Sequence, residues 1–112
     1  MRRSPRTPTA ATSAPSAPPA EREAGFQAAV IEYAHLRKWL VFHSYDSRRD
    51  PAGLPDLVLC RPPRLVMAEL KTAKGRLRDA QWTWLVALSA CPGVETYTWR
   101  PANWPDIERI LA

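Results

Sequence analysis

The segment Gly53-Leu54-Pro55-Asp56-Leu57-Val58-Leu59 is followed, a few residues later, by Met67-Ala68-Glu69-Leu70-Lys71. Each segment carries a run of apolar residues of the length expected for a strand. The connection between them, Arg61-Pro62-Pro63-Arg64, is short and contains two prolines, as in the turn of a hairpin. We therefore predict two neighbouring strands, at 56–60 and 65–71, that pair with each other.

Three polar side chains interrupt this apolar hairpin. Successive side chains of a strand point to opposite faces, so Glu69 and Lys71 share one face while Leu70 turns to the other. Asp56 enters the first strand directly after a proline and comes to lie beside them if the hairpin forms. Alone, the Glu69 and Lys71 pair would be interpreted as a surface ion pair on an edge strand. Together with Asp56, it is a layout suited to a metal-dependent phosphodiesterase.

The hydrophobic pattern of the remaining chain predicts three helices and two further strands. The helices are expected at 22–37, 79–90 and 103–111, and the strands at 39–43 and 94–99. Asn103 is expected to be the N-cap of the last helix. The complete order is α-β-β-β-α-β-α. This order favours an α/β fold in which a mixed four-stranded sheet is flanked by helices.

One polar residue of the second predicted helix lies on its apolar face. Gln81 shares a stripe with large apolar residues, so its amide should point inward, where it needs hydrogen-bond partners. The alternative is a glutamine at the edge of that face. Trp82 lies on the opposite side and is expected at an exposed contact or a dimer interface. The apolar residues of the stripe are Leu77, Trp84, Leu85 and Leu88.

The first twenty residues differ in composition from the rest of the 112-residue chain. They contain five prolines and three arginines among Ala, Ser and Thr, with no acid. This composition predicts a disordered tail at 1–20 and a folded domain at 21–112. The sequence contains neither the apolar run of a signal peptide nor a stretch long enough to cross a bilayer, so we expect a cytoplasmic protein.

The charge of the chain is moderately basic. Sixteen Lys and Arg against eleven Asp and Glu give +5, and removing the three tail arginines leaves thirteen against eleven, or +2. The arrangement of charge therefore matters more than its total. Cys60 and Cys91 have no Cys-x-x-Cys partner, which argues against zinc, and both are expected to be buried thiols.

In order and spacing, these residues resemble the restriction-endonuclease-like PD-(D/E)xK nucleases, and more closely the small stand-alone VRR-NUC nucleases of phages and bacteria. The motifs that carry the resemblance are Glu23-x-x-Phe26-Gln27, Ser47, Gly53-x-Pro55-Asp56-Leu57-Val58-Leu59, Glu69-Leu70-Lys71, Gly75, Gln81-x-x-Trp84-Leu85 and Trp99-Arg100-Pro101. The resemblance implies a restriction-endonuclease-like core.

It also implies roles for the polar residues. Asp56 and Glu69, with the main-chain carbonyl of Leu70, would bind Mg²⁺ or Mn²⁺, which prefer oxygen ligands. Lys71 would orient or help deprotonate the attacking water. Gln81 would approach the carboxylates. The family's helix-borne acid, which would reach the metal directly or through water, corresponds to Glu23 by its spacing to Phe26-Gln27, with Glu21 as the alternative. A first-turn glutamate stabilised by the helix dipole is the other interpretation of Glu23.

Two basic segments flank the predicted carboxylates and are candidates for gripping the phosphates of DNA without reading bases. They are Ser47, Arg48 and Arg49 before the Pro-Asp motif, and Lys74, Arg76 and Arg78 after the Glu-x-Lys motif. A solvated charged surface is the alternative for any single one of them.

The sequence thus predicts a Mg²⁺-dependent, structure-selective endodeoxyribonuclease acting on branched DNA such as Holliday junctions. Two symmetric cuts require two active sites, so we expect a homodimer. The alternatives are a flap or single-strand nuclease, a nuclease directed at RNA, and a non-catalytic DNA-binding accessory protein. Phage recombination, genome processing before packaging, and host DNA repair are all compatible with this activity.

Overall fold

The computed structural model describes residues 23–43 and 53–112. The predicted tail at 1–20 lies outside these residues. The elements are α1 (Glu23–Leu36), β1 (Leu40–His43), β2 (Leu57–Arg61), β3 (Arg64–Leu70), α2 (Asp79–Ser89), β4 (Val94–Trp99), a 3₁₀ turn (Pro101–Asn103) and α3 (Trp104–Leu111). Apart from the added 3₁₀ turn, this is the predicted order.

The four strands form one mixed sheet in the order β1-β2-β3-β4. The first three strands pair antiparallel, and β3 pairs parallel with β4. Parallel neighbours cannot be joined by a tight turn, so α2 forms the connection between β3 and β4. The predicted α/β class and the mixed four-stranded sheet flanked by helices are confirmed.

The core lies between one face of the sheet and the two terminal helices. α1 contributes Phe26, Val30 and Ala34, which are spaced four residues apart and therefore fall on one stripe of the helix. α3 contributes Ile107 and Leu111 with the same spacing. The sheet residues buried in this cluster are Leu57, Leu59, Val66, Ala68, Leu70 and Trp99.

Two side chains, those of Trp39 just before β1 and Arg64 in β3, fix α3 against the core. The indole Nε1 of buried Trp39 donates to the carbonyl of Leu111 at 3.0 Å. Arg64 donates to both carboxylate oxygens of Glu95, at 2.7 and 2.8 Å, and to the carbonyl of Ile110 at 2.9 Å. The Arg64 guanidinium thereby keeps the pKa of Glu95 below its usual value. This paired geometry joins β3, β4 and α3.

Two sequence-based expectations are corrected. Cys60 is only half-buried and Cys91 is exposed, because Cys60 points away from the core face of β2 and Cys91 follows the end of α2. Asn103 precedes α3 as predicted, but its side chain does not cap that helix. Its Oδ1 instead accepts the Arg100 N–H at 2.8 Å, one turn earlier.

Within the described residues, no helix is long and apolar enough to span a membrane.

Candidate active site

The β2–β3 hairpin brings the predicted carboxylates together. Leu57 pairs with Ala68, so the preceding residue, Asp56, stands across from Glu69. Asp56 lies just before β2 rather than within it, and its Oδ2 accepts the Leu70 N–H at 2.9 Å. This hydrogen bond lies just beyond the Leu57–Ala68 pair, where the β2–β3 pairing ends. It fixes the Asp56 side chain beside β3.

Glu69 is the most deeply buried charged group of the site, with 2% of its surface exposed. Its Oε2 accepts a hydrogen bond from Gln81 Nε2 at 2.7 Å and lies 3.6 Å from Lys71 Nζ. Its Oε1 is buried and has no hydrogen-bond partner. One oxygen of this carboxylate is therefore fixed by protein donors, while the other still needs a donor or a cation.

The protonation of Glu69 reflects this environment. Burial is the largest cause that raises its pKa, from 4.5 to about 7, and the negative charge of Asp56 adds to it. The Lys71 ammonium acts in the opposite direction but does not cancel the increase. A cation bound by the two carboxylates would offset their repulsion and favour the ionised form of Glu69.

Lys71 follows directly after β3 and is held by main-chain and side-chain contacts. Its N–H donates to the carbonyl of Trp99 at 2.9 Å, which extends the β3–β4 pairing by one residue. Gly75 lies against its aliphatic stem, since a Cβ at Gly75 would be 3.4 Å from Lys71 Cδ. The ammonium therefore reaches the Glu69 carboxylate from a supported stem, as the alternation of strand side chains predicted.

Gln81 connects the site to the start of α2. It is 5% exposed, so the predicted inward orientation of this amide is correct. Its Oε1 accepts the Arg78 N–H at 2.8 Å, which satisfies a free donor at the helix N-terminus. With that acceptor occupied, the amide nitrogen is directed at Glu69. Trp82 is exposed, as expected.

The segment that leads to Asp56 contacts the first turn of α2 at a glycine. Gly53 has φ of +86°, and a Cβ at this position would overlap the main-chain carbonyl group of Ala80. Only glycine combines this left-handed conformation with so close a contact. The start of the Gly53-x-Pro55-Asp56 motif is thus packed directly on the first turn of α2.

The donor set fits a hard divalent cation. Asp56 and Glu69 supply carboxylate oxygens, and the unpartnered Oε1 of Glu69 is the observation that supports such a ligand. Among residues 23–43 and 53–112, no three His, Cys, Asp or Glu side chains that could hold a metal converge. The other ligands would be the predicted Leu70 carbonyl, water, or the helix-borne acid.

Several predicted residues lie outside these contacts. Glu23 begins α1, but its side chain lies outside the described part of the structure, as do Ser47, Arg48 and Arg49. Lys74, Arg76 and Arg78 are exposed on the segment between β3 and α2.

One further residue near the site was given no role from the sequence. Arg100 Nη1 donates to the carbonyls of Thr72 and Gly75, at 2.7 and 2.6 Å. The Trp99-Arg100-Pro101 motif was the only signal in the sequence that pointed to it.

The half-buried Asp56 and the buried Glu69 lie together at the end of the hairpin, and Lys71 and Gln81 contact the Glu69 carboxylate. The α/β fold that carries them is consistent with the restriction-endonuclease-like class. The family model of the VRR-NUC domain matches residues 20–99, which is more than half of the chain. The chain therefore belongs to the VRR-NUC domain family, which indicates a nuclease with DNA as the implied substrate. No curated protein and no solved structure gives a significant match.

Proposed function

We propose that the protein is a Mg²⁺- or Mn²⁺-dependent endodeoxyribonuclease that cuts branched DNA in the cytoplasm. The observation that carries this proposal is the Glu69 carboxylate, which is buried beside Asp56 with one oxygen unpartnered. Two acids would repel a DNA phosphate unless a cation came between them. Phosphodiester hydrolysis is a reaction that uses such a cation. A lysine that could act with the cation is at hand, because Lys71 Nζ lies 3.6 Å from Oε2 of Glu69.

When bound, the cation would polarise a phosphoryl oxygen and lower the pKa of a coordinated water. The residues of the chain then have separate tasks. Asp56 and Glu69 would hold the ion, and Gln81 fixes Glu69 through its 2.7 Å hydrogen bond. Lys71 would orient the water and stabilise the negative charge that develops on the phosphate during in-line attack.

Binding of DNA would rely on phosphate contacts. Lys74, Arg76 and Arg78 are exposed within seven residues of Lys71, so they could contact the backbone next to the scissile bond. Contacts of this kind carry no base sequence information, which fits selection by DNA shape. We expect the affinity for DNA to fall steeply as the salt concentration rises, because binding releases counterions from the DNA.

Cutting both strands of a four-way junction requires two active sites, so we propose a homodimer. Light scattering with and without DNA tests this part separately. A dimer supports junction resolution, whereas a monomer under both conditions would favour flap or single-strand cleavage.

The experiment that tests the substrate class is a panel of fluorescent DNAs: a four-way junction, a flap, a single strand and a linear duplex, each with Mg²⁺ or Mn²⁺. We expect the junction to be cut fastest. Preference for the flap or the single strand would support the alternative nuclease. Metal-dependent binding without strand scission would support a DNA-binding accessory protein, and faster cutting of a matched RNA junction would support an RNA-directed enzyme.

A further inference from the structure

Arg100 is a half-buried arginine directly after β4, and among residues 23–43 and 53–112 its charge forms no ion pair with an acid. Its Nη1 donates to two main-chain carbonyls, those of Thr72 and Gly75. The two acceptors belong to one turn, which the Gly75 N–H closes by donating to the Thr72 carbonyl at 3.2 Å. A single guanidinium nitrogen therefore holds both ends of the turn that follows Lys71.

The turn held by Arg100 lies against the side chain of Lys71. A Cβ at Gly75 would be 3.4 Å from Lys71 Cδ and 3.2 Å from Thr72 Oγ1, so Gly75 provides close support for the lysine stem. The Lys71 main chain is fixed by Trp99, the residue just before Arg100. Trp99, the last residue of β4, thus holds the backbone of Lys71, and the next residue, Arg100, holds the turn that covers its side chain.

Arg100 is itself fixed from the C-terminal side. Its N–H donates to Oδ1 of Asn103 at 2.8 Å, and Pro101 begins the 3₁₀ turn that places this asparagine. A long side chain loses conformational freedom when it forms hydrogen bonds, and a fixed backbone reduces the number of directions it can take. The guanidinium is therefore directed at the turn by a rigid support.

From these contacts we propose that Arg100 is a positioning residue, which orients Lys71 through the turn 72–75 and orders the basic segment that begins at Lys74. This inference rests on the proposed nuclease function for its effect on rate. Its structural part, that Arg100 holds the turn, is independent of any activity. Small displacements of a catalytic group lower the rate of the chemical step, so the loss should appear mainly in kcat.

The test compares Arg100→Gln and Arg100→Lys with Arg109→Gln as a matched control. Arg109 lies on α3, exposed and paired with Asp106, so its removal changes the net charge equally without touching the turn. The first readout is the rate of tryptic cleavage after Lys74 and Arg76 in the folded protein, identified by mass. Cleavage after Arg37 and Lys38, exposed residues beyond α1, reports opening of the chain outside the turn in the same sample.

We expect Arg100→Gln to increase cleavage in the 72–78 segment on the order of tenfold, with little change at Arg37 and Lys38. Arg100→Lys, which keeps a donor, should give an intermediate rate, and it carries the test if the glutamine variant does not fold. Cleavage at the wild-type rate, or an equal increase at both places, would overturn the role of Arg100 in holding the turn.

The second readout is steady-state cleavage of DNA. We expect kcat of Arg100→Gln to fall on the order of tenfold or more, with a smaller change in KM and partial rescue by lysine. Values of kcat within about twofold of Arg109→Gln would overturn the effect on Lys71. If the wild-type protein cuts no DNA, the proposed function fails, while the tryptic cleavage still decides whether Arg100 holds the turn.

Discussion

Gln81 donates a hydrogen bond of 2.7 Å to Oε2 of Glu69, and this contact joins α2 to β3 inside the site. The same amide accepts the Arg78 N–H through its oxygen. A leucine would fill the space but leave both partners unsatisfied. Each buried polar group left without a partner lowers the free energy of unfolding by about 1–3 kcal/mol. Because one of these partners is Glu69, the same hydrogen bond should matter for both stability and activity.

We therefore predict that Gln81→Leu lowers the free energy of unfolding by about 1–3 kcal/mol and reduces DNA cleavage on the order of tenfold to a hundredfold. Urea denaturation and initial cleavage rates measure the two effects. Thr83→Val is the control, since its exposed hydroxyl donates to the Asp79 carbonyl of the same helix. A variant with leucine at 81 that is as active as the control would show that Gln81 does not position Glu69.

The raised pKa of Glu69 predicts how the metal-free protein responds to pH. Burial and the charge of Asp56 raise the pKa to about 7 in the folded chain, from 4.5, so the folded state holds this proton to higher pH than the unfolded state. The stability that this group contributes is complete below pH 4.5 and is lost as pH rises through about 7. The loss is at most about 3 kcal/mol.

Thermal unfolding in EDTA between about pH 5 and pH 8 measures this loss. Glu69→Gln cannot ionise, so its melting temperature should fall less over that interval. The exposed Glu108→Gln serves as the control and should follow the wild type. A wild-type curve parallel to that of Glu69→Gln would contradict the burial of an unfavourable charge at this position.

Addition of metal should reverse the effect of pH. Mg²⁺ or Mn²⁺ binds the ionised pair, so millimolar metal should raise the melting temperature more at pH 8 than at pH 5.5, where Glu69 holds its proton. Differential scanning fluorimetry with and without metal measures the shift. Asp56→Asn should lose most of it. An equal shift in that variant would show that the metal binds elsewhere.

Two glycines with nearly the same positive φ should differ in their tolerance of alanine. Gly53 and Gly93 have φ of +86° and +85°. A Cβ at Gly93 meets nothing within 4 Å, whereas one at Gly53 would overlap the Ala80 main chain. Gly93→Ala should therefore cost only the strain of the left-handed conformation, about 1 kcal/mol. Gly53→Ala should lower the free energy of unfolding by roughly 2 kcal/mol more than Gly93→Ala does. It should also impair DNA cleavage, because the shift of the backbone at residue 53 would displace Asp56.

Chemical denaturation of both glycine variants gives the comparison directly. Similar losses of stability in the two variants would mean that the Gly53 segment does not pack on α2 as described.

The hairpin and its acids could be predicted from the sequence because their geometry is local. Strand alternation alone places Glu69 and Lys71 on one face, and a short turn returns the chain to Asp56. The inward orientation of Gln81 followed from helical spacing in the same way. In each case the relevant period is a property of the backbone, so a few residues of sequence are sufficient.

The contacts of Arg100 and Asp56 could not be predicted in this way. Arg100 meets the turn after β3 only because β4 pairs parallel with β3, a pairing that joins residues about thirty positions apart. The hydrogen bond from the Leu70 N–H to Asp56 depends on the register of the hairpin. Cys91 was placed wrongly because its neighbours in sequence are apolar, although the chain there has already left α2.

The most direct test of the account is cleavage of a labelled four-way junction by the wild type and by Glu69→Gln, each in Mg²⁺ and in EDTA. Glutamine keeps the volume of the side chain and removes the charge that would bind the cation. We predict that the wild type cuts the junction in Mg²⁺ and not in EDTA. In Mg²⁺, the cleavage rate of Glu69→Gln should be lower by roughly a hundredfold or more. Cleavage by the wild type in EDTA, or undiminished cleavage by Glu69→Gln, would contradict it.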